Sequence, residues 1–376
     1  AMGEIISTVK KCKHLADIGD LKPQVINDNK KMKTELRYTP RGVVGGITPW
    51  NFPVSMAANK ILPAVITGNT VVLKPSPYTP LATVMLASVA QKTFPPGVVN
   101  IVTGGDQLGR WIVEHPDVAH ISFTGSERTG KAIMASASGT LKKLTLELGG
   151  NDPAIVLPGS NIKKVAPDIF GRAMFNTGQV CVAIKRLYVH ESQYDEMVAE
   201  LAKAAKAAKV GNGLDKGTMY GPINNKMQFD RVSGLVEDAK RSGANVAAGG
   251  GPIDKDGGYY YQPTILSNVT EGMRVVDEEQ FGPVLPVIKY SDVNDAVARA
   301  NNTTYGLGSS VWGPDPDAAA EVGLRVEAGM TWINTHLASV ETAPFGGIKA
   351  SGIGREGGGE IGLKEFVDMK TVIKAK

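Results

Sequence analysis

At 376 residues, with 42% hydrophobic and 21% charged residues, the chain is long enough for two domains and has the composition of an ordinary globular protein. Its net charge of +4 is spread along the chain, which gives no reason to invoke a nucleic acid or a membrane surface as partner. Two cysteines far apart do not make a disulfide scaffold and point to a reducing compartment, read here as the cytoplasm, and no apolar run is long enough to span a bilayer or to act as a signal peptide.

Ala1 ahead of Met2 reads as the remnant of a cleaved tag. Residues 4–16 read as a short helix. Residues 21–38 alternate polar sides around Asp28-Asn29-Lys30-Lys31, a hairpin signal. A ribbon of this kind buries little of itself, so it serves either another subunit's sheet or a plain surface turn. From Gly42 the pattern becomes strand, turn and helix, repeated. Strands are expected at Val43–Ile47, Val71–Lys74, Val98–Val102, His120–Phe123, Leu144–Glu147 and Ala154–Leu157, with helices at Met56–Thr67, Leu81–Thr93, Gly109–His115 and Thr129–Ser138. Such alternation predicts a parallel sheet covered on both faces, with ligands at the carboxyl ends of its strands.

A second set follows Asn161. Helices are expected at Ala166–Phe175, Asp195–Lys209, Phe229–Ser242, Asp292–Asn301 and Asp317–Glu327, and strands at Arg186–Val189, Val284–Tyr290, Ser309–Trp312 and Met330–Asn334. Phe366–Lys376 reads as a final strand. The join between the two α/β domains falls near Gly149–Asn161, and Cys181 lies just beyond it, which the reading places beside an interdomain cleft.

Phe175-Asn176-Thr177-Gly178-Gln179-Val180-Cys181 sets a cysteine in a Gly-bounded turn between a helix and an apolar strand. A thiolate is the strongest side-chain nucleophile near neutral pH, although a lone cysteine is more often an inert core residue. Pro49-Trp50-Asn51-Phe52-Pro53 pins an Asn amide at a strand end, where it either donates to a developing oxyanion or satisfies its own turn; spacing alone favours the turn. Thr124-Gly125-Ser126 opens a helix with small residues suited to phosphate, but no G-x-G-x-x-G stands there. Glu147 ends an apolar strand, where desolvation would raise its pKa toward a general-base range unless it is a salt-bridged structural acid. Glu278-Glu279-Gln280-Phe281-Gly282-Pro283 puts an acid and a ring before a strand, which alone is an ordinary loop.

Pro49–Pro53, Phe123–Ser126, Leu146–Gly150, Gly178–Cys181, Glu279–Pro283 and Pro344-Phe345-Gly346-Gly347 occur in the order and spacing of the NAD(P)-dependent aldehyde dehydrogenase superfamily, which the chain resembles from about Thr39 to its end. The resemblance implies an α/β fold with a Rossmann-like parallel-sheet cofactor domain, a second α/β catalytic domain and a small β oligomerisation element. Residues 1–20 and 39–148 would form the first, incomplete at its amino-terminal side; 149–365 the second; 21–38 and 366–376 the third, supporting a homodimer or homotetramer.

The resemblance also implies roles. Cys181 would be the nucleophile, Glu147 the base that activates water, and Asn51 with the Cys181 N–H the oxyanion donors. Ile47, Thr48, Pro49, Trp50, Lys74, Ser76, Gly105, Gly109, Phe123, Gly125, Ser126, Leu148, Glu279 and Phe281 would contact the dinucleotide. Phe52, Ser55, Asn59, Val180, Val182, His336 and Leu337 map near the substrate tunnel and suggest a small or medium aliphatic or hydroxylated aldehyde. No metal is called for. Many NAD-preferring members carry Glu where this chain has Pro77, so NAD with tolerance of NADP is expected. Family members usually have on the order of a hundred more residues before Pro49, so the expectation is a folded protein of weakened stability. The competing readings are an inert paralogue that acts as a partner subunit, and a hydrolase or acylating enzyme that uses the same cysteine.

Overall fold

Apolar strands alternate with helices through most of the chain, and the computed structural model, which describes residues 2–338 and 340–376, lays them out as two compact units. The first begins with helix α1 (Met2–Ile18) and the ribbon β1 (Gln24–Asp28) and β2 (Met32–Pro40). It continues through β3 (Val43–Ile47), α2 (Pro53–Ile66), β4 (Thr70–Lys74), α3 (Pro80–Thr93), β5 (Val99–Ile101), α4 (Asp106–Glu114), β6 (Val118–Thr124), α5 (Glu127–Ala137) and β7 (Lys143–Glu147). Strands β3 to β7 are parallel and lie in the order β7-β6-β3-β4-β5. Val44, Val71, Leu73, Ile121 and Leu146 are completely buried, as expected of a parallel sheet covered on both faces. Because these strands are parallel, the turns after β3, β4, β6 and β7 lie at one end of the sheet, where Thr48, Pro75, Gly125 and Leu148 follow their strands.

The second unit is Gly149–Ala338 with Gly347–Ser351. Its elements are β8 (Pro153–Val156), α6 (Ile162–Met174), β9 (Arg186–His190), α7 (Tyr194–Ala207), α8 (Lys226–Arg241), β10 (Asn245–Ala248), β11 (Thr264–Ser267), α9 (Arg274–Asp277), β12 (Val284–Tyr290), α10 (Val293–Asn301), β13 (Gly308–Trp312), α11 (Pro316–Gly323) and β14 (Met330–Ile333). The strand order is β10-β11-β12-β9-β8-β13-β14, parallel except for β10. Alternate residues serve opposite faces: Ala154, Val156, Leu187 and Val287 pack on α6 and α7, while Ile155, Tyr188, Ile288 and Val311 pack on α8, α10 and α11. Strands β10 and β11 were not expected from the sequence; each is only four residues long, too short to display a period.

The chain then returns to the first unit with β15 (Pro344–Phe345), β16 (Gly352–Ile353), β17 (Glu356–Gly357), α12 (Glu360–Lys364) and β18 (Val367–Ala375). Gly352–Lys376 groups with the first unit, where the sequence reading carried the second domain on to residue 365. Strand β16 pairs antiparallel with β7, setting Gly352 opposite Glu147. Strand β18 pairs antiparallel with β2 from Val367↔Pro40 to Ala375↔Met32, so ribbon and tail form one three-stranded sheet. Arg41 locks the junction, donating to the Glu365 carbonyl at 3.2 Å and reaching the Val367 carbonyl and the Asp368 carboxylate.

Candidate active site

In the first unit, β3 runs into Thr48–Phe52 and Pro53 opens α2, where its missing N–H costs nothing. The helix has no side-chain cap of its own. Instead Glu4 accepts the N–H groups of Val54 and Ser55 at 2.8 and 3.0 Å, a favourable place for a carboxylate. Asn51 and Phe52 are half-buried on the turn between strand and helix. Thr48 is buried; its N–H donates to the Lys74 carbonyl at 3.1 Å, but its hydroxyl finds no partner among the described residues.

Several of the expected dinucleotide residues converge around that hydroxyl's strand. Lys74 is buried and donates to the Pro75 carbonyl at 3.2 Å; burial lowers its pKa, with Asp106 opposing. Gly109 on α4 faces Lys74 and Ile47, whose side chains stand 3.8–3.9 Å from where a Cβ would be. Gly105 precedes α4 and supplies no side-chain cap to that helix. Pro49 and Trp50 are half-buried, and the Trp50 carbonyl accepts from the Thr79 hydroxyl at 3.1 Å. Ser76 is buried, its hydroxyl taken by the Tyr78 N–H at 3.3 Å. The Phe123 ring lies against Gly125, whose N–H donates to the Glu147 carbonyl at 3.0 Å. The Ser126 hydroxyl caps α5 by accepting from Thr129 N–H at 3.3 Å, and Leu148 packs against Gly130 of the same helix. The buried orphan hydroxyl of Thr48 and the uncapped start of α4 are features a polar, phosphate-bearing ligand would satisfy, so these residues fit a dinucleotide.

Glu147 ends β7 with 2% of its surface exposed, and neither carboxylate oxygen has a hydrogen-bond partner among the described residues. Burial first, then the charge of Glu356, hold its pKa well above the ordinary carboxylate range, with Lys60 and Arg355 opposing. Its Oε1 lies against Gly346, where a Cβ would come within 2.8 Å. Beside it is a polar cluster that sequence reasoning missed. Lys60 of α2 is completely buried, and its Nζ lies 2.7 Å from Glu356, 2.8 Å from the Thr124 hydroxyl and 3.3 Å from the Ser122 hydroxyl. Asn59 donates to the other Glu356 oxygen at 3.2 Å and accepts from Lys11 at 3.1 Å. The available signal was one lysine inside the apolar run of α2, whose charge cannot be left unpaired in a core.

In the second unit, the turn before Cys181 is strained and pinned. Asn176, Thr177 and Gly178 take φ of 50°, 59° and 71° in succession, the left-handed region that only Gly enters freely. The Thr177 hydroxyl donates to the Gly221 carbonyl at 3.1 Å. The Gln179 amide donates to the Asn176 carbonyl at 3.0 Å and accepts from the Asn224 N–H at 2.8 Å. A Cβ on Gly178 would fall on the Gly282 carbonyl oxygen, so the turn packs directly on the loop that carries Glu279 and Phe281. Cys181 is half-buried between the buried Val180 and Val182.

His336 was expected to line the substrate tunnel. It is instead fully buried, its Nε2 donating to the Val182 carbonyl at 2.6 Å, and burial lowers its pKa to about 4. The ring braces the backbone immediately after Cys181. Glu279 accepts the Gly150 N–H at 3.1 Å, and Gln228 donates to the carbonyls of Gln280 and Phe281 at 2.9 and 3.0 Å. Two more buried charges went unread in the sequence. Lys185 donates to the Gly178 carbonyl at 2.7 Å; Asp152 accepts the Gly308 N–H at 3.1 Å, its pKa pushed up to about 8 by burial.

Comparison with known proteins fits this arrangement. Residues 1–372 match the aldehyde dehydrogenase family model. The chain is 48% identical to a mitochondrial aldehyde dehydrogenase of Leishmania tarentolae over 343 residues, covering 90% of this chain and 68% of that protein. It superposes on the NAD+ complex of a Bacillus cereus aldehyde dehydrogenase with a TM-score of 0.96 at 39% identity, covering 99% of this chain and 76% of that one. An NADP-dependent enzyme of Escherichia coli matches with a TM-score of 0.92 at 36% identity, covering 98% of this chain and 76% of that one. The chain belongs to the aldehyde dehydrogenase family.

Proposed function

We propose that this protein oxidises an aldehyde to a carboxylic acid with NAD+, and tolerates NADP+, through a covalent adduct on Cys181. The single observation that carries the reading is Glu147, a buried carboxylate with both oxygens unpartnered among the described residues, which a fold does not keep without a use. The cofactor pair follows from the family and from the NAD+ and NADP-dependent neighbours. Ile47, Thr48, Lys74, Gly105, Gly109, Phe123 and Gly125 are assigned to the adenosine and phosphate parts, and Leu148, Glu279 and Phe281 to the nicotinamide end.

The Cys181 thiolate adds to the aldehyde carbon, the C=O electron pair moving onto oxygen. Asn51 and the Cys181 N–H donate to that oxyanion. A dinucleotide held by these residues would supply the hydride acceptor; loss of hydride from the carbon, with the oxyanion's electron pair re-forming C=O, leaves a thioester on Cys181. Glu147 takes a proton from water, the resulting hydroxide attacks the thioester carbon, and the thiolate departs. Among the described residues no helix is long and apolar enough to cross a membrane, and Cys12 and Cys181 are free thiols. The sheet of β1, β2 and β18 is assigned to pairing between copies: Val25, Ile26, Met369 and Ile373 are half or more exposed on it.

The experiment is NAD(P)H formation across an aldehyde panel, with Cys181→Ala alongside. Turnover lost in the variant supports the reading; absence of both turnover and cofactor binding in the unaltered protein would favour the inert partner subunit instead.

A further inference from the structure

Lys185 stands in an apolar run. Val182, Ala183, Ile184 and Leu187 around it are buried, and Lys185 itself is 1% exposed. Desolvating an ammonium costs several kcal/mol in real proteins, so a lysine held there needs compensation that its apolar neighbours do not offer. Its Nζ turns back under the cysteine turn and donates to the Gly178 carbonyl at 2.7 Å, while lying 5.3 Å from the centre of the Phe281 ring. Its own carbonyl accepts from Gln280 at 3.4 Å. One side chain therefore touches both segments that the second unit brings to the reaction, the Gly178–Cys181 turn and the Glu279–Phe281 loop.

The charged and titratable groups facing it are few. Glu279 comes from the loop before β12, Asp152 from the start of β8, Cys181 from its own turn and His336 from the loop after β14. His336 is neutral, and Asp152 keeps its proton over much of the neutral range because burial raises its pKa. Arg186 is turned elsewhere, donating to the Asn151 and Ala300 carbonyls, both at 2.9 Å. Burial lowers the pKa of Lys185 itself, and Glu279, Asp152 and Cys181 oppose that shift, so the sulfur of Cys181 is one of the anions its ammonium serves.

We infer that Lys185 is a positioning residue for the nucleophile: its buried ammonium favours the thiolate of Cys181 and ties the cysteine turn to the Glu279–Phe281 loop. The inference rests on the proposed role of Cys181, but its test needs neither cofactor nor turnover. The full chain, free of cofactor, is alkylated with iodoacetamide across pH, and labelling at Cys181 and Cys12 is resolved by mass spectrometry, for the unaltered protein, Lys185→Gln and Lys185→Met. Gln keeps a donor for the Gly178 carbonyl and removes only the charge; near-UV circular dichroism checks the packing.

The unaltered protein is expected to show a Cys181 midpoint below the free-thiol value of about 8.5. Both variants are expected to raise that midpoint by about one unit or more, roughly a tenfold loss of thiolate at pH 7. A natively packed Lys185→Gln with an unshifted midpoint overturns the inference. So does a midpoint at or above the free-thiol value in the unaltered protein, which decides the matter even if neither variant folds. A chain that forms no NAD(P)H yet shows a Lys185-dependent midpoint keeps this inference and loses the functional reading.

Discussion

The Lys60 ammonium lies 2.7 Å from the Glu356 carboxylate, and both side chains are withdrawn from solvent, at 0% and 3% exposure. The two residues act oppositely on Glu147: Glu356 raises its pKa and Lys60 lowers it. Burial is the first cause of the raised pKa of the assigned base, and a pair whose members are 296 positions apart in the chain tunes it.

Replacing Lys60 with Met strands the Glu356 charge in a buried site. The expected cost is about 3–5 kcal/mol, read as a fall in the urea midpoint. The Glu147 pKa should rise further, since its main opposing cation is gone. Lys60→Met combined with Glu356→Gln should recover much of the lost stability; a double variant as unstable as the single one would contradict the account.

Glu147 acts as a base only when deprotonated, and its pKa is held above the ordinary carboxylate range. Steady-state turnover should therefore rise with pH along a limb shifted upward from that range. Glu147→Gln should remove the limb and slow turnover by roughly 10²–10⁴-fold while sparing the first, pre-steady-state release of NAD(P)H. An unchanged limb in the variant would move the assignment to another group.

What was legible in the sequence is what is local. Asn51, Phe123–Ser126, Glu147 and Cys181 all stand at the ends of strands or in Gly-bounded turns, where neighbours a few positions away mark them as candidates. Lys60, Glu356, Lys185 and Asp152 were not read because their partners come from distant segments and each looks alone like an ordinary charge. Ile184-Lys185-Arg186-Leu187 did carry a signal, two cations at the start of an otherwise largely apolar strand. The burial of His336 against the Val182 carbonyl was not legible either, because it joins residues 154 positions apart. The return of Gly352–Lys376 to the first unit, and the pairing of β18 with β2, depend on long-range register that no local period encodes.

Asp152 gives a stability that depends on pH. Its folded pKa is about 8 against an ordinary value of 3.8, so between those values the folded protein holds a proton that the unfolded chain does not. Its contribution is complete below about pH 4 and is lost as pH rises toward 8. Asp152→Asn should flatten that part of the Tm profile; a slope between pH 5 and pH 8 equal to the parent's would contradict it, the window being set by the same values.

Gly178 combines a positive φ with direct contact on the Gly282 carbonyl, so Gly178→Ala is strained twice. A loss exceeding about 1 kcal/mol is expected, with displacement of the Cys181 turn and a fall in Cys181 alkylation rate. Gly171→Ala, in open space on α6, serves as the control and should be neutral or slightly stabilising in the same thermal melt.

The most direct test is aldehyde-dependent NAD(P)H formation by the unaltered chain and by Cys181→Ala, with cofactor binding measured on both. The account predicts turnover in the first, a loss of about 10³-fold or more in the second, and equal cofactor affinity in the two. Cys181→Ala turning over at the parent rate would contradict it.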